Sequence, residues 1–88
     1  MIAKELVTHE VCQIIESARP KLAGLIKPTT LLTPELGVDS LVIIEVMVGI
    51  EERFGINMGE LEEFDLGRPM STSELVEIVV TKLQEVGQ

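Results

Sequence analysis

Apolar residues recur at helical spacing in three long stretches of this chain, each with polar positions between them. In the first, Leu6, Val7, Val11, Ile14, Ile15 and Ala18 alternate with Glu5, Thr8, Glu10, Gln13 and Glu16, which predicts an amphipathic helix from Ile2 to about Ala18. Pro20 ends it or closely follows its end. The second stretch, residues 41–54, contains no proline, and a rotation of about 100° per residue divides its apolar side chains into two arcs. Ile43, Val46, Met47, Ile50 and Phe54 share one arc; Leu41, Ile44 and Val48 lie on roughly the opposite side, accompanied by Glu45, Glu51 and Glu52. A helix serving one core needs one stripe, so the second stripe reads either as a partner surface or as the far side of a helix buried nearly all round. In the third stretch, Ser71 and Glu74 match a capping box, followed by an inward stripe of Leu75, Ile78, Val79 and Leu83 that ends near Glu85.

The connections add a fourth helix and a long loop. Residues 20–38 contain Gly24, Pro28 and Pro34, yet also Leu22, Leu25, Ile26, Leu31 and Leu32, which are expected to pack onto the bundle, with room for a short helical turn around Lys21 to Ile26. Gly37 suits a turn that other residues resist, and Gly55 suits the stop of the second helix. Residues 59–65 have room only for a short third helix, with Leu61 and Phe64 inward and the carboxylates outward, before Gly67 and Pro69 break the chain. The expected fold is all-α: one domain over residues 1–88, a four-helix bundle with a long first loop and a short third helix.

Composition changes this picture in two ways. Only Phe54 and Phe64 are aromatic, so the core is aliphatic. The net charge of −8 is concentrated: residues 35–65 hold nine acidic residues against Arg53 alone, and the rest of the chain is neutral overall. Such a field disfavours nucleic acid and anionic membranes and favours proteins with basic patches, although it also serves solubility. No run approaches the roughly 18 apolar residues of a membrane span. Cys12 has no second cysteine to pair with, and the chain opens without a charged segment leading into an apolar signal run, so a cytoplasmic protein is expected. Cys12 and His9, each the only one of its kind, supply no zinc set and read as flank and surface residues of the first helix. The segment after Phe54 lacks the Asp/Asn triad of a calcium loop. No metal site is expected.

Asp39 and Ser40 stand just ahead of the second helix, where short oxygen-bearing side chains cap free backbone N–H groups. Ser40 is therefore at or beside the N-cap, at a helix end whose dipole and amides favour a phosphate. Its alternative reading is a plain cap. No base is near enough in sequence to activate it as a nucleophile, which makes Ser40 a substrate of another enzyme and the chain itself no enzyme.

Gly37-Val38-Asp39-Ser40-Leu41, Glu45, and Ile50-Glu51-Glu52-Arg53-Phe54-Gly55-Ile56 together resemble the recognition helix of acyl carrier proteins, and the likeness extends over nearly the whole chain. The resemblance implies that Ser40 is esterified by 4′-phosphopantetheine from coenzyme A, whose thiol carries acyl groups as thioesters in fatty-acid or polyketide-type biosynthesis. It also implies that Asp39 helps bind the phosphopantetheinyl transferase with its metal-bound coenzyme A. Leu41, Ile44, Glu45, Val48, Glu51 and Glu52 would then face partner enzymes with basic patches, among them acyltransferases, ketosynthases and acyl-activating enzymes, and the carrier would act as a monomer.

Several residues depart from the fatty-acid carriers. Val42 stands where an acidic residue is usual, which widens the apolar outer surface, and Gly49 replaces alanine at a helix cost of about 1 kcal/mol, to admit a close neighbour or leave room for cargo. Arg53 and Gly55 replace commonly acidic residues, and Thr72 an apolar one. These departures keep open a specialised pathway. A peptidyl or aryl carrier of a non-ribosomal pathway is a rival, although its usual Gly-Gly differs from Gly37-Val38. An unmodified helical interaction module is the rival from another class.

Overall fold

A computed structural model describes residues 3–58 and 70–86. Three α-helices dominate them: α1 (Lys4–Ala18), α2 (Ser40–Phe54) and α3 (Thr72–Val86). The expected third helix at residues 59–65, with Leu61 and Phe64, lies outside the described residues, so the described fold is three helices rather than four.

The all-α expectation needs one correction. Leu31–Leu32 (β1) pairs antiparallel with Met70–Ser71 (β2), Leu31 opposite Ser71 and Leu32 opposite Met70. Two 3₁₀ turns punctuate the long loop, Pro20–Leu22 and Pro34–Leu36, each opened by a proline whose fixed φ and missing N–H suit that position. The loop is thus an ordered strap. Its leucines are divided: Leu22 and Leu32 are buried and Ile26 is half-buried, whereas Leu25 and Leu31 stay exposed, against the expectation that all would pack inward. Two residues of strand leave side chains on opposite faces, so one leucine of β1 points in and the other out.

Helix faces follow the apolar spacing closely. Val7, Val11, Ile14 and Ile15 of α1 meet Val46, Met47 and Ile50 of α2 and Leu75, Val76 and Val79 of α3 in one aliphatic core, to which the strap adds Leu22, Leu32 and Val38. Leu6 is exposed, although it shares the apolar pattern of α1. Surface ion pairs Lys4–Glu77 and Arg53–Glu10 tie α1 to α3 and to α2. Such pairs contribute little, at most about 1 kcal/mol each, so apolar burial holds the bundle.

Two of the departures acquire a structural reason. Thr72 is fully buried, and both its backbone N–H (3.0 Å) and its hydroxyl (3.3 Å) donate to the Thr30 carbonyl. With the Ser73 N–H donating to the Pro28 carbonyl at 2.9 Å, this fastens the start of α3 to the strap. Ser71 caps α3 by accepting the Glu74 N–H at 3.1 Å. At Gly49 a Cβ would lie 2.8 Å from Ile14 Cγ2, so glycine lets α1 approach closely. Val42 is half-buried against the core and does not widen the outer apolar surface as expected.

Candidate functional site

The turn ahead of α2 is fixed by backbone bonds before any side chain matters. Leu36 and Val38 N–H both donate to the Thr33 carbonyl at 3.0 Å, and Gly37 N–H donates to that of Pro34 at 2.8 Å. Gly37 has φ +87°, a left-handed conformation that favours glycine, and a Cβ there would fall 2.5 Å from Arg19 Nε. Arg19 therefore covers the turn from α1, with its Nε buried and without a partner among the described residues. Val38 is buried in the core. Together these anchors set the direction in which the next two residues leave.

Those residues divide the labour at the helix mouth. Asp39 is the N-cap: its Oδ1 accepts the Val42 N–H at 3.0 Å and its carbonyl accepts the Ile43 N–H at 2.9 Å. Ser40 is the first residue of α2 and is exposed. With the capping task taken by Asp39, Ser40 presents its hydroxyl to solvent beside the Ser40 and Leu41 amides, which have no carbonyl one turn back within the helix. This donor set suits a phosphodiester on Ser40 Oγ, with the positive end of the helix dipole behind it.

Beyond Ser40, one side of α2 carries an apolar ridge. Leu41 is 64% exposed, Ile44 42% and Val48 45%. Glu45 and Glu52 are exposed nearby; Glu51 is half-buried, and its carboxylate accepts the Met58 N–H at 2.9 Å. The two arcs of the helix thus have separate fates, inward in the core and outward in solvent. Two features of the site were not readable from apolar spacing. Leu36 sits exposed in the 3₁₀ turn before Ser40, where a three-residue element gives no periodic signal. An open groove between α1 and α2 is lined by Ile14, Ser17, Ala18, Glu45, Gly49, Glu52 and Arg53.

Cys12 is half-buried, as its place on the flank of α1 suggests, and His9 is exposed. Burial, and secondarily the negative charge of Glu16, push the Cys12 thiol above its ordinary pKa, which keeps it protonated and poorly nucleophilic. Among the described residues no group of three His, Cys, Asp or Glu side chains could hold a metal ion, and no helix is long and apolar enough to cross a membrane.

Residues 9–77 match the family model described as the phosphopantetheine attachment site. Over 80 residues the chain is 30% identical to acyl carrier protein 1, chloroplastic, of Hordeum vulgare, covering 91% of this chain and 54% of that protein. The corresponding protein of Spinacia oleracea is 28% identical over 91% of this chain and 58% of its own length. Acyl carrier protein 5, chloroplastic, of Arabidopsis thaliana is 30% identical over 78% of this chain and 58% of its own length. The chain thus spans little more than half the length of these relatives. No solved structure is significantly similar to it.

Proposed function

Since this chain belongs to the acyl carrier protein family, whose attachment site holds a covalent 4′-phosphopantetheine group, we propose that Ser40 is the residue esterified. The observation that carries this reading is the division of labour at the mouth of α2: Asp39 caps the helix, so Ser40 is exposed and uncommitted. When bound, the group supplies a flexible arm ending in a thiol that carries acyl chains as thioesters. The protein's own part is to present that arm and to be recognised. Ser40 fixes the point of attachment, the α2 amides face the phosphate, and Asp39, besides capping, offers an exposed carboxylate to the transferase. Tethering then raises the effective concentration of cargo at each partner's active site. The raised pKa of Cys12 suits a carrier, because the chain's own thiol competes poorly for acyl groups.

In this reading Leu41, Ile44 and Val48 seat in a partner groove while Glu45 and Glu52 steer approach toward lysine and arginine patches. Glu51 contributes to the acidic field while it holds the chain after α2 through Met58. The cargo belongs to fatty-acid or polyketide-type biosynthesis, the carrier acts as a monomer, and a reducing compartment such as the cytoplasm suits the single free thiol.

Intact mass before and after incubation with coenzyme A, magnesium and a broad-specificity phosphopantetheinyl transferase tests the assignment, with Ser40→Ala as control. A gain of one phosphopantetheine unit in the parent alone is expected. No gain in a chain whose fold is confirmed by circular dichroism would overturn it in favour of an unmodified interaction module.

A further inference from the structure

Arg19 is unused by the function described so far. It closes α1 as its C-cap residue, and the packing of α1 on α2 sets where it stands. The two helices run antiparallel: Glu10 pairs with Arg53, Ile14 meets the Gly49 position four residues along α1 and four back along α2, and one further step brings Ala18 and Glu45 to the same groove. That register carries the end of α1 toward the mouth of α2. From there the Arg19 side chain reaches the turn: a Cβ on Gly37, three residues before Ser40, would lie 2.5 Å from its Nε, 2.9 Å from a terminal nitrogen and 3.0 Å from Cζ. Glycine at 37 thus makes room for a guanidinium. Among the described residues that guanidinium forms no ion pair, and its Nε, shielded from solvent, has no acceptor. The acids beside Arg19 and beside Ser40 in sequence are committed elsewhere: Glu16 accepts the Gly24 N–H, and Asp39 accepts the Val42 N–H.

We propose that Arg19 holds the phosphodiester of the arm on Ser40 through hydrogen bonds from its guanidinium; the inference rests on the Ser40 reading above and names the side chain that binds the group's phosphate. The chemistry selects this ligand. A solvent-shielded N–H without an acceptor costs free energy until one arrives. A phosphodiester is anionic, offers two free oxygens and matches the fork of a guanidinium. The α2 amides then supply the helix side of the phosphate site and Arg19 the α1 side. The contact pins the phosphate end of the arm and leaves its thiol end free to swing.

Urea unfolding of the full chain before and after modification, with no partner enzyme present, tests this as a double-mutant cycle in which the arm is one of the two changes. A merely structural Arg19 would stabilise both forms alike. If it holds the phosphate, modification should lower the unfolding constant of the parent roughly tenfold more than that of Arg19→Gln, the equivalent of about 1.4 kcal/mol and the lower end of what a hydrogen bond to a charged group contributes. Lys21→Gln, which removes an exposed cation two residues further on, should behave as the parent. A second measurement needs no variant: the assigned Arg19 Nε–Hε signal in 15N spectra should shift on modification and exchange more slowly with water, while that of Arg53, paired with Glu10, stays in place. Equal gains in the parent and Arg19→Gln, an equal loss of the gain in Lys21→Gln, or an unmoved Arg19 signal would each overturn the proposal and leave the Ser40 assignment standing. No mass gain in the parent would overturn the Ser40 assignment, and this inference would fall with it.

Discussion

Helices α2 and α3 each run fifteen residues, and both are rich in aliphatic side chains, yet they spend them differently. In α3, Leu75, Val76 and Val79 are buried, while Ile78, Val80 and Leu83 close over the core. In α2, Val46, Met47 and Ile50 perform the same task, and three further large apolar residues face water. A fold needs the α3 arrangement. The surplus on α2 exposes apolar surface that packing does not require, which is what the proposed docking face calls for.

The sharpest way to break this comparison is to truncate α2 on each side in turn. Ile50→Ala, at a fully buried position, should lose about 2–5 kcal/mol of unfolding free energy, a large share of the total for a domain of this size. Ile44→Ala, on the ridge, should stay within about 0.5 kcal/mol in the same urea titration while slowing acyl transfer. Equal losses at the two sites would mean that the ridge belongs to the fold. A smaller effect is expected where α1 touches α2. Gly49→Ala gains about 1 kcal/mol of helix propensity but drives a methyl into Ile14 Cγ2, an overlap costing about 1–3 kcal/mol, so a net loss of about 1 kcal/mol is expected. Combined with Ile14→Ala, the same substitution should turn stabilising, a reversal that a double-mutant cycle would detect.

At α3 the comparison concerns attachment rather than packing. Thr72→Val keeps the shape and the backbone bond to Thr30 but removes the hydroxyl donor, and should cost about 0.5–1.5 kcal/mol. The smallest effect is on reactivity alone. Because burial and Glu16 both disfavour the Cys12 thiolate, iodoacetamide at pH 8 should alkylate the native chain more slowly than the chain unfolded in urea. Faster reaction in the native state would reverse the assigned direction.

What the sequence made legible follows from what repeats. The three long helices and the two arcs of α2 rest on apolar spacing sustained over several turns, and the turn at Gly37 and the stop at Gly55 rest on left-handed backbone that the structure indeed shows at both. The strap was harder. Two-residue strands and three-residue turns carry no period, and the partner of Leu31 is Ser71, far along the chain, so the ladder left no local trace. At the site, the Asp39–Ser40 pair was legible as a helix mouth, but which of the two caps depends on a single hydrogen bond to the Val42 N–H. Val42 stands one turn before the buried Val46, so its half-burial follows from the same spacing that turns Val46 inward.

The pairing of Leu31–Leu32 with Met70–Ser71 has a consequence for inheritance. It closes the chain between them into a ring of roughly 40 residues, whose closure alone forfeits about 3 kcal/mol of chain entropy. Ser40, Asp39, the apolar ridge and the acidic stripe all lie on that ring; α1 and α3 lie outside it as the frame that holds it. A graft that moved the ring between two such frames would carry the proposed attachment point and the proposed docking face together, and would leave behind Arg19 and, on the α1 side of the groove, Ser17, Ala18 and Ile14.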